Sequence, residues 1–222
     1  RDVERSRGLG DVYKRQFFDL DGTLSESGEG ILWCVRRTIE DLKIVVPENF
    51  RLESFIGPPL ADSFYRLGLD DEKVKLGVKT YKSYYDTKGK YMNKAYDGIK
   101  ELLERLREKG YKLGVATSKY ELFARQIIDN IGLLQYFDFV SGATANAERQ
   151  KKIDVLNYGI KNLGATPENS ALIGDTKFDA EGARLCGCGF VGVLYGYGTR
   201  KEMEAEGAVN FAETAGKIEK FL

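Results

Sequence analysis

From residue 95 to the C-terminus the sequence keeps a rhythm of alternating helical and strand-like segments, and that rhythm constrains the fold more than anything else in the chain. Ile99, Leu102, Leu103 and Leu106 form one apolar stripe, with Asp97 placed to cap its start and Gly110 where a helix C-terminus favours a left-handed residue. Tyr111 to Ala116 reads as a buried strand, Glu121 to Ile131 as a helix, and Phe137 to Val140 as the next strand. A helix over 152–163 stopped by Gly164, a strand over 171–173, a loop and helix opening at Gly174, and a strand over 190–193 follow. Repeated strand-helix units make a parallel sheet with helices on both faces. The expected class is therefore α/β, a doubly wound, Rossmann-like sheet.

The first strand of that sheet carries the chemistry. In Phe17-Phe18-Asp19-Leu20-Asp21-Gly22-Thr23-Leu24, an apolar pair ends at two carboxylates one residue apart. Open α/β sheets bind ligands at the carboxyl edge, where Asp19 and Asp21 would stand. Asp and Gly are also common turn residues, so this stretch alone is weak evidence. Three further polar clusters fall at the ends of predicted strands or one helix away: Thr117 with Ser118, Lys151 with Lys152, and Asp175 with Asp179. Acidic groups with a lysine and a hydroxyl suit a hard, oxygen-preferring cation, Mg²⁺ above all, beside an anion. If the anion is a phosphate attacked by a carboxylate, a cation is required. Two unit charges about 3.5 Å apart repel by roughly 5 kcal/mol at an effective dielectric near 20.

Residues 25–94 break the rhythm and read as an all-helical insertion between the first and second strands. Ile31, Val35, Ile39 and Leu42 recur at helical spacing, as do Val74, Val78, Tyr81 and Tyr85, and Phe55-Ile56-Gly57-Pro58-Pro59-Leu60 interrupts the helices. Gly57 and the two prolines fit either a loop facing the site or a helix-helix turn. Tyr81, Tyr84, Tyr85 and Tyr91 fit either a core or a substrate lining. Arg36, Arg37 and Arg66 fit either a solvated surface or a grip on an anionic substrate tail. The core is then 17–24 with 95–222. Residues 1–16 place charges where a central strand would begin, so they are expected to be a non-native or disordered extension that leaves the first strand short.

Composition narrows the chemistry. With no histidine among the 222 residues, Ser-His-Asp and Cys-His catalysis, phosphohistidine and histidine-ligated zinc are all excluded. Cys34, Cys186 and Cys188 are odd in number and lack zinc-site spacing, so no structural disulfide is expected. Lys plus Arg and Asp plus Glu are both 34, which gives no global attraction to nucleic acid or anionic membrane. No apolar run approaches the length of a membrane span and no secretory signal is evident, so the expected location is cytoplasmic.

Asp19-Leu20-Asp21-Gly22-Thr23, Ala116-Thr117-Ser118-Lys119, Lys152-Ile153-Asp154-Val155 and Gly174-Asp175-Thr176-Lys177-Phe178-Asp179 resemble the four motifs of the haloacid dehalogenase superfamily. Residues 192–198 are similar to the closing strand and loop of its phosphoglycolate-phosphatase-like branch. The resemblance implies that 25–94 is a cap, that Asp19 is the nucleophile, and that Asp21 is the acid and then the base. Thr117, the Ser118 amide and Lys152 (or the neighbouring Lys151) would hold the phosphate, with Gly57 on the cap side. Asp19, the Asp21 backbone carbonyl, Asp175 and Asp179 would hold Mg²⁺. An acid at the second aspartate implies phosphoryl transfer to water or to a sugar, so the expected substrate is a small phosphate monoester. A β-phosphoglucomutase-like mutase and a non-catalytic phosphate-binding module are the alternatives. The sequence leaves the ester unspecified and allows a monomer or a homodimer.

Overall fold

The computed structural model describes residues 14–146 and 148–222. In chain order the elements begin with β1 (Arg15–Phe18), β2 (Ser25–Glu26), α1 (Gly28–Asp41), α2 (Leu60–Arg66), α3 (Asp71–Thr87) and β3 (Lys94–Ala95). They continue with α4 (Ile99–Glu108), β4 (Lys112–Tyr120), α5 (Glu121–Asn130), β5 (Phe139–Ala143), α6 (Lys152–Asn162) and β6 (Ser170–Gly174). The chain closes with α7 (Lys177–Cys186), β7 (Gly189–Val193), α8 (Arg200–Ala205), β8 (Phe211–Ala212) and a 3-10 segment, Ala215–Phe221. Among the described residues no helix is long and apolar enough to cross a membrane.

Six strands make one parallel sheet in the order β5-β4-β1-β6-β7-β8. The chain winds outward from β1 in one direction through β4 and β5, then in the other through β6, β7 and β8. The strand order therefore reverses at β1, and the carboxyl end of β1 is the topological switch point where ligands bind in such sheets. Successive strand residues face opposite sides. Phe18 joins the cluster containing Leu103, Leu106, Leu113, Val115 and Ile127, under α4 and α5. Phe17 joins Val155, Leu156, Leu172 and Ala183, under α6 and α7.

The first strand starts two residues earlier than expected. Arg15 and Gln16 pair with Lys112 and Leu113 on one side and with Ser170 and Ala171 on the other, and Gln16 is fully buried. Backbone pairing on both flanks outweighs the unsuitable side chains at this amino end. The rest of the expectation for 1–16 concerns residues 1–13, outside the described residues. The insertion also differs from an all-helical reading at its neck. Ser25–Glu26 pairs antiparallel with Lys94–Ala95, because the outgoing and returning chains run side by side there. Gly98, left-handed at φ 80°, opens α4 in place of the expected Asp97 cap, and β4 extends past Ala116 to Tyr120. β5 begins at Phe139, two residues later than expected. β8 went unforeseen because a two-residue strand has no readable period.

The Phe17 ring sits in a slot made by two glycines. A Cβ at Gly114 would lie 2.6 Å, and one at Gly159 2.8 Å, from the Phe17 ring edge. Gly159 lies inside α6, where alanine is normally preferred by about 1 kcal/mol. Gly159→Ala is nevertheless expected to destabilise the protein by about 1–3 kcal/mol in urea unfolding, through overpacking. In a Phe17→Leu background that cost should fall to near zero.

Candidate active site

Sheet register brings the motif residues to one edge. Phe18 stands opposite Val115 on one side and Ile173 on the other, and the Asp19 amide donates to the Ile173 carbonyl at 2.9 Å. Asp19 and Asp175 thus leave adjacent strand ends, and Asp179 reaches back from the first turn of α7. One carboxylate oxygen from each of the three lies within 4.8 Å of the others, and all three residues are buried. The Lys152 ammonium sits against them, 2.5 Å from Asp19 Oδ1 and 2.8 Å from Asp179 Oδ1, and donates to the Ala116 carbonyl at 3.0 Å. Lys151, the alternative lysine, is exposed at the start of α6, and its backbone amide bonds Asp154.

Each acid is held by its own partners. Asp179 forms a capping box with Thr176, accepting from its amide at 3.0 Å and its hydroxyl at 2.7 Å. Asp175 accepts from the Thr23 hydroxyl at 3.0 Å and the Tyr197 amide at 2.8 Å. Three glycines crowd Asp175. A Cβ on Gly22, which has φ +90°, would come within 2.2 Å of the carboxylate, one on Gly196 within 2.4 Å, and one on Gly198 within 2.1 Å of the backbone carbonyl. Burial pushes the Asp19 carboxyl up to about 7; Lys152 opposes that shift and Asp179 adds to it. Burial followed by repulsion from Asp179 and Asp19 drives Asp175 well above the usual carboxylate range. For Lys152 burial acts downward, but Asp179 and Asp19 outweigh it and keep the ammonium charged.

Asp21 is not part of this cluster. Its Oδ2 pairs with Lys119 at 2.9 Å, while its buried Oδ1 has no hydrogen-bond partner among the described residues. The carboxylate of Asp21 is therefore not one of the three that could share an ion; only its backbone carbonyl is left to serve the expected metal set. Lys119 was missed as a site residue, although it follows Thr117-Ser118 directly in the motif. Its ammonium also donates to the Tyr85 hydroxyl at 2.9 Å and lies 4.4 Å from the centre of that ring. Burial works against its charge, yet Asp21 and Tyr85 raise its pKa above the ordinary lysine value. Thr117 is buried, its hydroxyl accepting from the Lys119 amide at 3.2 Å.

A cavity of about 200 Å³ lies between the helical insertion and the sheet edge. Asp21, Ser118 and Lys119 line its sheet side, and Gly57, Tyr81 and Tyr85 its insertion side. A Cβ on Gly57 would lie 3.3 Å from Thr176, so this loop faces the acidic cluster. Tyr84 instead packs edge-on against Trp33 and donates to Asp41, and Tyr91 is exposed. None of the three candidate arginines lines the cavity. Arg66 donates to the Ser54 carbonyl and the Ser63 hydroxyl, Arg37 pairs with Glu40, and Arg36 is exposed.

The acidic cluster suits a divalent cation. With all three carboxylates ionised against one ammonium, two negative charges would stand uncompensated in a buried space, and the donors are all oxygen. Oxygens bound to one Mg²⁺ at about 2.1 Å lie at most about 4.2 Å apart.

A doubly wound sheet with acids, a lysine and hydroxyls gathered at its switch point, beneath a helical insertion, defines a hydrolase of the haloacid dehalogenase-like type. The chain belongs to that family: the sequence profile of the haloacid dehalogenase-like hydrolases matches residues 17–193. The chain is 34% identical over 211 residues to the 5'-nucleotidase of Pseudomonas aeruginosa, covering 95% of this chain and 96% of that one. Tyrosine-protein kinase PtkA of Mycobacterium tuberculosis is 36% identical over 194 residues, 87% of this chain. The chain spans 66% of that kinase's length. A predicted phosphatase from Clostridium acetobutylicum superposes with a TM-score of 0.89 at 35% identity, over 94% of this chain and 97% of that one.

The glycine crowding around Asp175 is directly testable. Gly196→Ala should destabilise the protein by about 1–3 kcal/mol, because the added methyl meets the Asp175 side chain and the Gly22 carbonyl. Tyr197→Phe should cost a similar amount, since its hydroxyl accepts from the Ser27 and Gly28 amides at the start of α1. Thermal and urea unfolding measure both.

Proposed function

We propose that the chain is a Mg²⁺-dependent phosphatase that hydrolyses a small phosphate monoester through a phosphoaspartate on Asp19. The observation that carries this reading is the convergence of Asp19, Asp175 and Asp179 on one another, with Lys152 against them, at the carboxyl end of β1. Relatives named as a nucleotidase and as a phosphatase support it, and phosphoryl transfer is also the chemistry that a kinase name implies. Phosphoglycolate, a sugar phosphate and a nucleoside monophosphate are the candidate esters. The partner is a small molecule, with no nucleic acid or membrane involved.

In this mechanism an Asp19 carboxylate oxygen attacks phosphorus, and the bond from phosphorus to the leaving oxygen breaks. Asp21 gives its proton to that oxygen, releasing the alcohol and leaving an acyl phosphate on Asp19. The free Oδ1 of Asp21 is the atom placed to carry the proton, since Oδ2 is engaged by Lys119. Asp21, now a carboxylate, takes a proton from water as the water oxygen attacks phosphorus. The bond to Asp19 breaks, and inorganic phosphate leaves with both acids restored. Lys152, the Thr117 hydroxyl and the Ser118 amide take up charge on the phosphoryl oxygens throughout. Asp19, Asp175 and the Asp21 carbonyl would hold Mg²⁺, with Asp179 orienting the set, and the ion would supply neutralisation of charge between nucleophile and phosphate. The helical insertion acts as a cap that closes the site to bulk water.

Hydrolysis of p-nitrophenyl phosphate by the purified protein should require Mg²⁺, stop in EDTA and recover on adding Mg²⁺ back. Asp19→Asn should lower kcat by at least about 1,000-fold. Undiminished turnover in EDTA, or in that variant, would refute the proposal.

A further inference from the structure

The cavity between cap and core has a chemical character of its own. Asp21, Ser118, Thr144, Gln150 and two lysines give its walls their polar groups, and the remaining lining is mostly aromatic and aliphatic. Tyr81 and Tyr85 stack with centroids 5.5 Å apart and an interplanar angle of 13°, and Phe123 lies 5.6 Å from Tyr85. Tyr120 meets Phe123 edge-on at 5.4 Å. Two cations are found among the described lining residues, Lys119 and Lys82. Lys119, only 10% exposed, already neutralises Asp21 and is bonded by Tyr85. Lys82 is solvent-exposed, its ammonium 5.8 Å from the centre of the Tyr120 ring.

We infer that this site takes a phosphate monoester whose leaving group carries a flat, uncharged ring, and that it selects against leaving groups ending in a carboxylate. The inference rests on the phosphatase reading and narrows its substrate. The volume admits a ring: an engineered apolar cavity of about 150 Å³ in another protein takes up benzene, and this one measures about 200 Å³. A two-carbon acid would leave most of that space unfilled. Its carboxylate would also be brought among tyrosine and phenylalanine side chains, with the inner cation already engaged by Asp21. An uncharged ring meets neither penalty.

The test compares matched esters on the purified wild-type protein with Mg²⁺. Uridine 5'-monophosphate and ribose 5-phosphate leave through the same 5'-oxygen and differ in the base. The nucleotide should show a kcat/KM about 10- to 100-fold higher, the effect of one stacked base. Phosphoglycolate should fall at or below ribose 5-phosphate. Benzyl phosphate separates two sources of the ring: a value close to the nucleotide's means that any aryl face is read, and a low one means a nucleoside. Tyr120→Leu, which removes one flat wall, should shrink the nucleotide advantage. Equal constants for nucleotide and ribose phosphate, a preference for phosphoglycolate, or an advantage untouched by Tyr120→Leu would overturn the inference while leaving Mg²⁺-dependent hydrolysis intact. Calorimetric titration of the Asp19→Asn variant reads the same preference as binding alone. Tighter binding of the nucleotide there would uphold ring selection even if the hydrolytic reading failed, and equal binding would overturn it.

Discussion

Mutual repulsion among three buried carboxylates is the constraint around which this structure is arranged. At the 4.8 Å limit of their separation, each ionised pair repels by about 3 kcal/mol at an effective dielectric near 20, before any cost of burial. Nothing in the isolated strands would hold them there. Lys152 answers part of the charge from the start of α6, and is itself kept charged by the acids it touches. The remainder is met by directed donors: the Thr176 capping box on Asp179, and the Thr23 hydroxyl and Tyr197 amide on Asp175. The fold positions charge, and the charge in turn dictates what the loops must supply.

That demand explains the loop after β7. Gly196 and Gly198 have no side chains because Asp175 occupies the space, and the residue between them lends its amide to the same carboxylate. Tyr197 then uses its hydroxyl to accept from the first amides of α1, and the Tyr195 hydroxyl donates to the Thr23 carbonyl at 3.0 Å. One short loop thus fixes an acid of the site and the neck of the insertion together. On the other side of the site Lys119 plays a comparable part, tying Asp21 of the core to Tyr85 of α3. Cap and core are joined through the groups on which the proposed chemistry depends.

How much of this was legible in the sequence follows from what each signal depends on. Strand-helix alternation is local, so the class of fold and the strand ends next to Asp19 and Asp175 could be placed from apolar runs and turn residues. The resemblance to the family's third motif favours Lys152 and leaves Lys151 open, and in the structure it is the Lys152 ammonium that is buried against Asp19. Other features depend on partners distant in the chain. Arg15 and Gln16 look unsuited to a central strand until Lys112, Leu113, Ser170 and Ala171 are found pairing with them. Lys119 reads as a surface lysine until Asp21 and Tyr85 are brought to it. The absence of side chains at Gly196 and Gly198 likewise has no readable cause within that segment, because no local pattern reveals that Asp175, more than 20 residues earlier, fills the space.

The same division bears on how such a site changes its substrate. Groups that would handle phosphorus come from strand ends and helix starts of the sheet, where register and capping fix each atom. The cavity is lined on its far side by α3 and the Gly57 loop, which contribute none of the three clustered acids. Substitutions at Val78 or Leu60 can therefore alter the shape and polarity of the cavity without disturbing the charge balance at Asp19. Tyr85 is the exception, since its hydroxyl bonds the lysine that pairs with Asp21. A change there would alter leaving-group recognition and acid placement together, which makes it the point where specificity and chemistry cannot be varied independently.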